Sequence, residues 1–261
     1  MMIKITESCS MGCIHCMNDA KPNGNNMTNE TFRDVLDFIR CNGLDTHIMI
    51  TGGEPTEHPE FINMMNVLCQ YIHTYYDNSN KPVVTITTNG LWMQNNPQVA
   101  TELIEHMRKE FSLIVQVSTD RRYYPTKIET HKRVFHNPSV TIIDSIDIMY
   151  PIGRALDNNI PWERKWERKS PSCFNVRAIA KQIPSPSLNK ICNILLYRDK
   201  YCTPHIRYNG DIALGESDLC PAVSNIYKSE SEIVESIINC KCLNCECIID
   251  KMPDDIKQFL L

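Results

Sequence analysis

Apolar and polar positions change period several times along the first half of the chain, and each change marks an element. Residues 2–6 are short, apolar and β-branched, which reads as a strand running into a cysteine loop. Thr28 is placed to cap a helix whose apolar residues Phe32, Val35, Leu36 and Ile39 recur at i, i+3, i+4 and i+7, and Gly43 ends it. Residues 47–51 form the next strand. A helix over residues 59–76 buries Phe61, Met64, Met65, Leu68 and Ile72. Residues 83–87 form a third strand, and Val99, Leu103 and Met107 mark a third helix. Residues 113–118 complete a fourth strand, and a later one falls within 140–149.

Strict alternation of strand and helix predicts an α/β fold with a parallel sheet and right-handed crossovers, either an open doubly wound sheet or a partial barrel. Ligands gather at strand C-termini in both. The glycine-containing and polar motifs fall there: the cysteines after the first strand, Gly52-Gly53-Glu54-Pro55 after the second, Thr88-Asn89-Gly90 after the third, Ser118-Thr119-Asp120 after the fourth. From about Trp162 the rhythm stops. Pro184, Pro186 and Ser187 punctuate the chain and the cysteines from Cys192 to Cys247 crowd together, which predicts a separate small module.

Composition narrows the function classes. A formal charge of −4 gives no broad basic field for nucleic acid, and the dense cationic run at Arg164, Lys165, Arg168 and Lys169 reads as a solvated helix face. With no apolar run of membrane-spanning length and no cleavable signal pattern, the expectation is a soluble cytoplasmic protein without a membrane partner. Thirteen cysteines in such a chain point to metal ligation rather than a disulfide scaffold. Cys41 and Cys69, on apolar helical faces, read as small core residues.

Cys9-x3-Cys13-x2-Cys16 offers three thiolates from one loop, enough to hold three irons of a cubane and leave the fourth open. Structural zinc, with His15 as fourth ligand, is the competing reading. The spacing resembles the signature of the radical S-adenosylmethionine (SAM) superfamily, and its place after the first strand is similar to that family's partial βα barrel. The resemblance covers roughly residues 1–155 and implies a [4Fe-4S] cluster on Cys9, Cys13 and Cys16 that cleaves SAM to an adenosyl radical. It implies SAM contacts at His15 beside the adenine, at Gly52, Gly53, Glu54 and Pro55 for the amino group, and at Thr88, Asn89, Ser118 and Asp120 for ribose and carboxylate. The segment around Gly153 and Arg154 resembles one in the peptide-modifying branch, where Arg154 would reach SAM carboxylate or substrate. Two glycines admit a close approach of main chain to ligand, and a carboxylate can pair an ammonium. No single catalytic acid or base is marked.

Cys202, Cys220, Cys242 and Cys245 could close a second [4Fe-4S] cluster entirely with protein thiolates, or a structural zinc site. Tyr208-Asn209-Gly210-Asp211 reads as a tight hairpin between the first two. The layout resembles the twitch module, the half-size form of the SPASM domain; Cys173 and Cys192 would raise the count toward the full form. The resulting expectation is a partial (βα)6-type barrel over residues 1–165 and a cysteine-rich α+β module over 166–261. It implies a radical SAM enzyme that abstracts hydrogen, its auxiliary cluster assisting oxidation or crosslinking of a peptide. The alternatives are a dehydrogenase of a small alcohol, amino sugar or amino acid, an activase, and a non-catalytic two-cluster electron carrier. An external one-electron donor such as flavodoxin or ferredoxin is implied. The cysteines begin at residue 9, from which no leader-binding domain is expected ahead of them.

Overall fold

The computed structural model describes residues 1–144, 148–149, 153–160, 163–164, 180–197, 204–215 and 220–240. The chain divides into two compact units: residues 1–14, 20–146 and 207–209 in the first, and 15–19, 147–206 and 210–261 in the second.

The first unit is a parallel sheet whose strands follow one another in chain order. Its strands are β1 (Met2–Thr6), β2 (His47–Gly52), β3 (Val83–Thr88), β4 (Ser112–Ser118) and β5 (Val140–Ile143), and each pairs in parallel with the next. The connections are α1 (Asn29–Cys41), α2 (Phe61–Tyr75), and between β3 and β4 the pair α3 (Leu91–Asn95) and α4 (Pro97–Glu110). An order that never reverses, wound with one hand, puts every crossover on the same face of the sheet. This removes the open doubly wound alternative for these five strands.

The two faces therefore differ in chemistry. Ile3, Ile48, Ile50, Val84, Ile86, Leu113, Val115 and Val117 are buried on the helical side with Phe32, Leu36, Met64, Leu68, Leu103 and Met107. Each such aliphatic side chain contributes about 1.5–3 kcal/mol relative to exposure. On the other face the register aligns Lys4 with Thr51, and Thr87 with Gln116 and Thr141. A parallel sheet covered on both sides reads as continuous apolar strands; the alternation here marks a face kept for polar contents.

Thr28 does cap α1, accepting from the Thr31 N–H, and Phe32, Val35, Leu36 and Ile39 are its buried positions. Three details differ from expectation. Pro55–Glu57 is a 3₁₀ turn followed by a bend, so α2 starts at Phe61 instead of Pro59. Val99 is 44% exposed, because the buried stripe of α4 is Ala100, Leu103, Ile104 and Met107. Cys41 is exposed at the last turn of α1, whereas Cys69 is buried and its thiol is pushed up to about 12 by burial. Among the described residues no helix is long and apolar enough to cross a membrane.

The second unit holds the antiparallel pair β6 (Ile148–Met149) and β7 (Glu163–Arg164), the short helix α5 (Arg154–Asp157), and α6 (Leu188–Tyr197). The expected strand within 140–149 is thus two: β5 joins the parallel sheet and β6 pairs elsewhere. A three-stranded antiparallel meander follows, β8 (His205–Ile206), β9 (Asp211–Ala213) and β10 (Ala222–Asn225), with Gly210 at φ +83 between the first two. The last element is α7 (Glu230–Asn239), opened by a capping box in which Ser229 and Glu232 exchange hydrogen bonds. Glu230 also accepts from the Leu188 N–H at 2.9 Å, fixing α6 against α7.

Candidate active site

The C-terminal ends of β1, β2 and β3 are knitted into one platform. The Gly53 N–H donates to the Thr6 carbonyl at 2.8 Å and the Glu54 N–H to the Ser8 carbonyl at 2.7 Å, so the glycine motif lies along the residues that lead into Cys9. A Cβ on Gly52 would meet the Thr6 oxygen at 2.2 Å, and one on Gly53 the Ser8 oxygen at 2.3 Å. Gly52 also sits at φ +146, in the region that favours glycine.

Glu54, only 2% exposed, joins this platform to β3. Its Oε1 accepts from the Thr56 N–H (3.1 Å), the Thr56 hydroxyl (2.6 Å) and the Thr88 hydroxyl (2.7 Å), and its Oε2 from the Asn89 N–H (2.6 Å). Burial raises its pKa above the ordinary carboxylate range against the pull of these donors. Oε2 keeps acceptor capacity for one more donor, as an ammonium would supply. The Asn89 side-chain oxygen accepts from the Leu91 N–H, while its Nδ2, on a residue 7% exposed, is buried with no acceptor among the described residues. A buried donor left open costs about 1–3 kcal/mol. It sits at the strand end where a polar ligand would satisfy it.

The cysteine loop is closed at its neck. The Cys9 N–H donates to the Lys21 carbonyl at 3.0 Å, the Glu7 N–H to Asn25 and the Met27 N–H to Ile5, so residues 21–27 return along β1. Within the loop the Ile14 N–H donates to the Tyr123 carbonyl at 3.4 Å. Cys13 is buried, Cys9 and Cys16 half-buried. The Cys16 carbonyl accepts from the Arg154 N–H at 2.9 Å, and a Cβ on Gly153 would meet the Met17 oxygen at 2.5 Å. The Arg154 guanidinium pairs with Asp19 (Nε to Oδ1, 3.0 Å), so this arginine fixes the turn that follows the third cysteine. His15 is half-buried in the same turn, and Pro55 is buried at the start of the 3₁₀ turn.

At the end of β4, Ser118 bonds the phenol of Tyr124. Burial, then the charges of Cys13, Glu54 and Cys9, push that phenol up. Asp120, 2% exposed, is held by Arg122 through Nε (3.0 Å) and Nη2 (2.7 Å).

Three residues that the sequence reading passed over also shape the site. Glu57 accepts from Ser10 three times, from its N–H at 2.9 and 3.0 Å and its hydroxyl at 2.7 Å, clamping the loop between Cys9 and Cys13. His58 is buried and neutral: one ring nitrogen donates to the Met27 carbonyl (2.9 Å) and the other accepts from the Glu60 N–H (3.0 Å). Tyr124 is the third. All three lie within a few residues of a recognised motif, but side chains that hold a loop from outside leave no spacing rule.

Of the second set, Cys202, Cys242 and Cys245 lie outside the described residues, as does Cys173. Cys220 stands two residues ahead of β10. A tight turn after β10 carries the Lys228 N–H to the Asn225 carbonyl, and α7 packs back along the strand. Ten helical residues rise about 15 Å and four or five strand residues about 13–17 Å, so Cys240, at the C-cap of α7, returns to the Cys220 end. Cys192 is 3% exposed on α6, where burial pushes its thiol up to about 12; it packs as a core residue.

Cys9, Cys13 and Cys16 share one fastened loop, but among the described residues no three His, Cys, Asp or Glu side chains are gathered closely enough to hold one metal ion. The buried amide with an open donor and the carboxylate with an open lone pair fit the polar end of an amino-acid nucleotide. The profile of the Radical SAM superfamily matches residues 3–153, and the chain belongs to that superfamily. Among individual proteins it is similar to the uncharacterized protein MJ0907 of Methanocaldococcus jannaschii, 23% identical over 87% of this chain and 86% of that one. Its fold is similar to BtrN solved with AdoMet and 2-DOIA (12% identity, 90% of this chain and 82% of that one, TM-score 0.54). It is also similar to Streptococcus suis SuiB bound to the precursor peptide SuiA (15% identity, 94% and 68%, TM-score 0.52) and to native anSMEcpe with bound AdoMet (14%, 98% and 85%, TM-score 0.52). Membership implies an enzyme with SAM and a [4Fe-4S] cluster.

Proposed function

We propose that this enzyme abstracts a hydrogen atom from a substrate held over the polar face of its parallel sheet, and that a second cluster assists oxidation or crosslinking of a peptide. The observation that carries the reading is the Gly52–Glu54 segment laid along residues 6–8, directly ahead of the cysteine loop and tied by Glu54 to Thr88 and Asn89. When bound, cluster and SAM together supply a carbon-centred oxidant able to take hydrogen from an unactivated C–H bond.

The chain's own residues bind and orient. Cys9, Cys13 and Cys16 would hold three irons. Gly52 and Gly53 let main chain reach the ligand; Glu54 accepts from its ammonium and the open Nδ2 of Asn89 donates to one of its acceptors. Pro55, Thr88, Ser118 and Asp120 fix the surrounding strand ends, with His15 beside the adenine. Arg154 acts on Cys16 through Asp19 and its own N–H. Cys220 with Cys202, Cys242 and Cys245 would hold the auxiliary cluster, with Cys240 an added candidate from its return to the Cys220 end. On this reading the sheet curls as a partial (βα)6-type barrel over residues 1–165, and residues 166–261 form a twitch-like module.

A second reading, dehydrogenation of a small alcohol, amino sugar or amino acid, is favoured by the row of Lys4, Thr51, Thr87, Gln116 and Thr141. These hydroxyls and amide suit a compact hydrogen-bonding substrate. The frame is shared with proteins solved with a precursor peptide and with 2-DOIA. Cys9→Ala/Cys13→Ala/Cys16→Ala protein, given SAM and dithionite without oxygen, should form no 5′-deoxyadenosine while keeping the EPR signal of the second cluster. SAM cleavage by this variant would refute the assignment. Deuterium carried into 5′-deoxyadenosine from a labelled peptide, or from a labelled amino sugar or alcohol, separates the two substrate classes.

A further inference from the structure

The connection between β4 and β5 is unlike the other three. It has no α-helix, only coil and a 3₁₀ turn at Arg133–His136. Residues 119–139 hold five Lys and Arg against two Asp and Glu, a net of +3 in a chain whose total is −4. Two of the cations are neutralised: Arg122 by Asp120, and Lys132 by Glu129 at 3.1 Å. Arg121, Lys127 and Arg133 are exposed and, among the described residues, make no ion pair.

Arg121 and Lys127 rim a pocket of about 500 Å³ whose apolar wall includes Pro125, Ile128 and Ile142; its lining also carries the Arg122–Asp120 pair and one further carboxylate, the exposed Asp144. Ile142 pairs in register with Val117, so it lies on the helical face of the sheet, opposite the Gln116–Thr141 row, and at 36% exposure it lacks the helix that covers its neighbours. The pocket therefore takes in part of the helical face together with Thr119, Asp120 and Asp144, just past the C-terminal ends of β4 and β5. It also reaches Tyr124, and the carbonyl of the preceding residue, Tyr123, holds the cysteine loop at Ile14.

We propose that this cationic surface, Arg121 and Lys127 around Ile142, is where an acidic one-electron carrier protein docks to reduce the cluster site. The chemistry of such a partner follows from the surface: a small apolar centre on whose rim Arg121 and Lys127 outnumber Asp144 fits a weak, electrostatically steered encounter with a negatively charged protein. One electron leaves the reduced carrier and enters the iron–sulfur centre, with no atom or proton transferred. The inference rests on the radical SAM reading for the need of that electron.

The test uses reconstituted protein with an acidic flavodoxin as probe. Oxidised flavodoxin should bind wild type with an affinity that falls steeply from about 20 to about 300 mM KCl, as the screening length shortens from roughly 20 to 6 Å. Arg121→Glu/Lys127→Glu should weaken binding by ~10-fold or more, and Arg121→Gln/Lys127→Gln should shift it in the same direction by less, while Arg33→Glu on α1 changes it by less than about twofold. SAM cleavage driven by dithionite should be unchanged in both double variants, and cleavage driven by reduced flavodoxin should fall with the binding. Unchanged flavodoxin affinity in both double variants would overturn the proposal. So would a raised KM for SAM under dithionite, which would give the surface to the SAM site. Failure of wild type to cleave SAM with dithionite would instead count against the radical reading, and binding alone would still decide the surface.

Discussion

At the scale of single residues, the site is held by buried groups whose ionisation opposes one another. His58 keeps a proton on one ring nitrogen and needs the other bare to accept from Glu60; burial lowers its pKa below the ordinary 6.5. His47, half-buried beside Thr85, is lowered by burial and then by the terminal ammonium. The unfolded chain therefore takes up protons below pH 6.5 that the folded one refuses, and stability present above that pH is lost as pH falls. Glu54 has the opposite sign: its raised pKa means that acid relieves a buried charge. His58→Gln should remove up to about 1.4 kcal/mol per pH unit from the acid-side loss between roughly pH 6.5 and 5.5, read from urea midpoints. A variant whose midpoint still falls in parallel with wild type would show that other groups carry the slope. None of this was visible in the sequence, where His58 is one more residue after a glycine motif; its meaning comes from Met27 and Glu60, brought to it by the fold.

Elements were more legible. Periodicity found β1 to β4 and α1 almost to the residue, because an apolar stripe at a fixed period is what burial against a sheet demands. It missed α3, whose five residues Leu91–Asn95 are too short to show a period, and it merged β5 with β6, since a continuous apolar run does not say where the chain changes partner. The glycine motif was read as a cradle for ligand, and the structure adds why both glycines are needed at the strand level: β1 and β2 converge there. Gly53→Ala would press a methyl group onto the Ser8 carbonyl and the Glu7 backbone, atoms that cannot swing aside. The expected cost is about 1–3 kcal/mol in denaturation midpoint, together with weakened SAM binding by calorimetry. A normal midpoint with full SAM affinity would mean that the strand ends relax freely.

For the molecule as a whole, the sequence supplied the winding of the parallel sheet but not the chemistry of its two faces, which needs the register that sets Thr87 beside Gln116 and Gln116 beside Thr141. It supplied the cysteines without their neighbours. Anaerobic reconstitution should give about eight irons per chain, two four-iron clusters, and about four would remove the auxiliary cluster. The neck formed by Cys9 with Lys21, Glu7 with Asn25 and Ile5 with Met27 has a consequence for how such a protein ages in air. Because backbone bonds, not metal, keep that ring of chain shut, stripping iron with a chelator should leave far-UV circular dichroism and cooperative melting intact. Oxidative damage would then be repaired by refilling a waiting nest rather than by refolding a polypeptide.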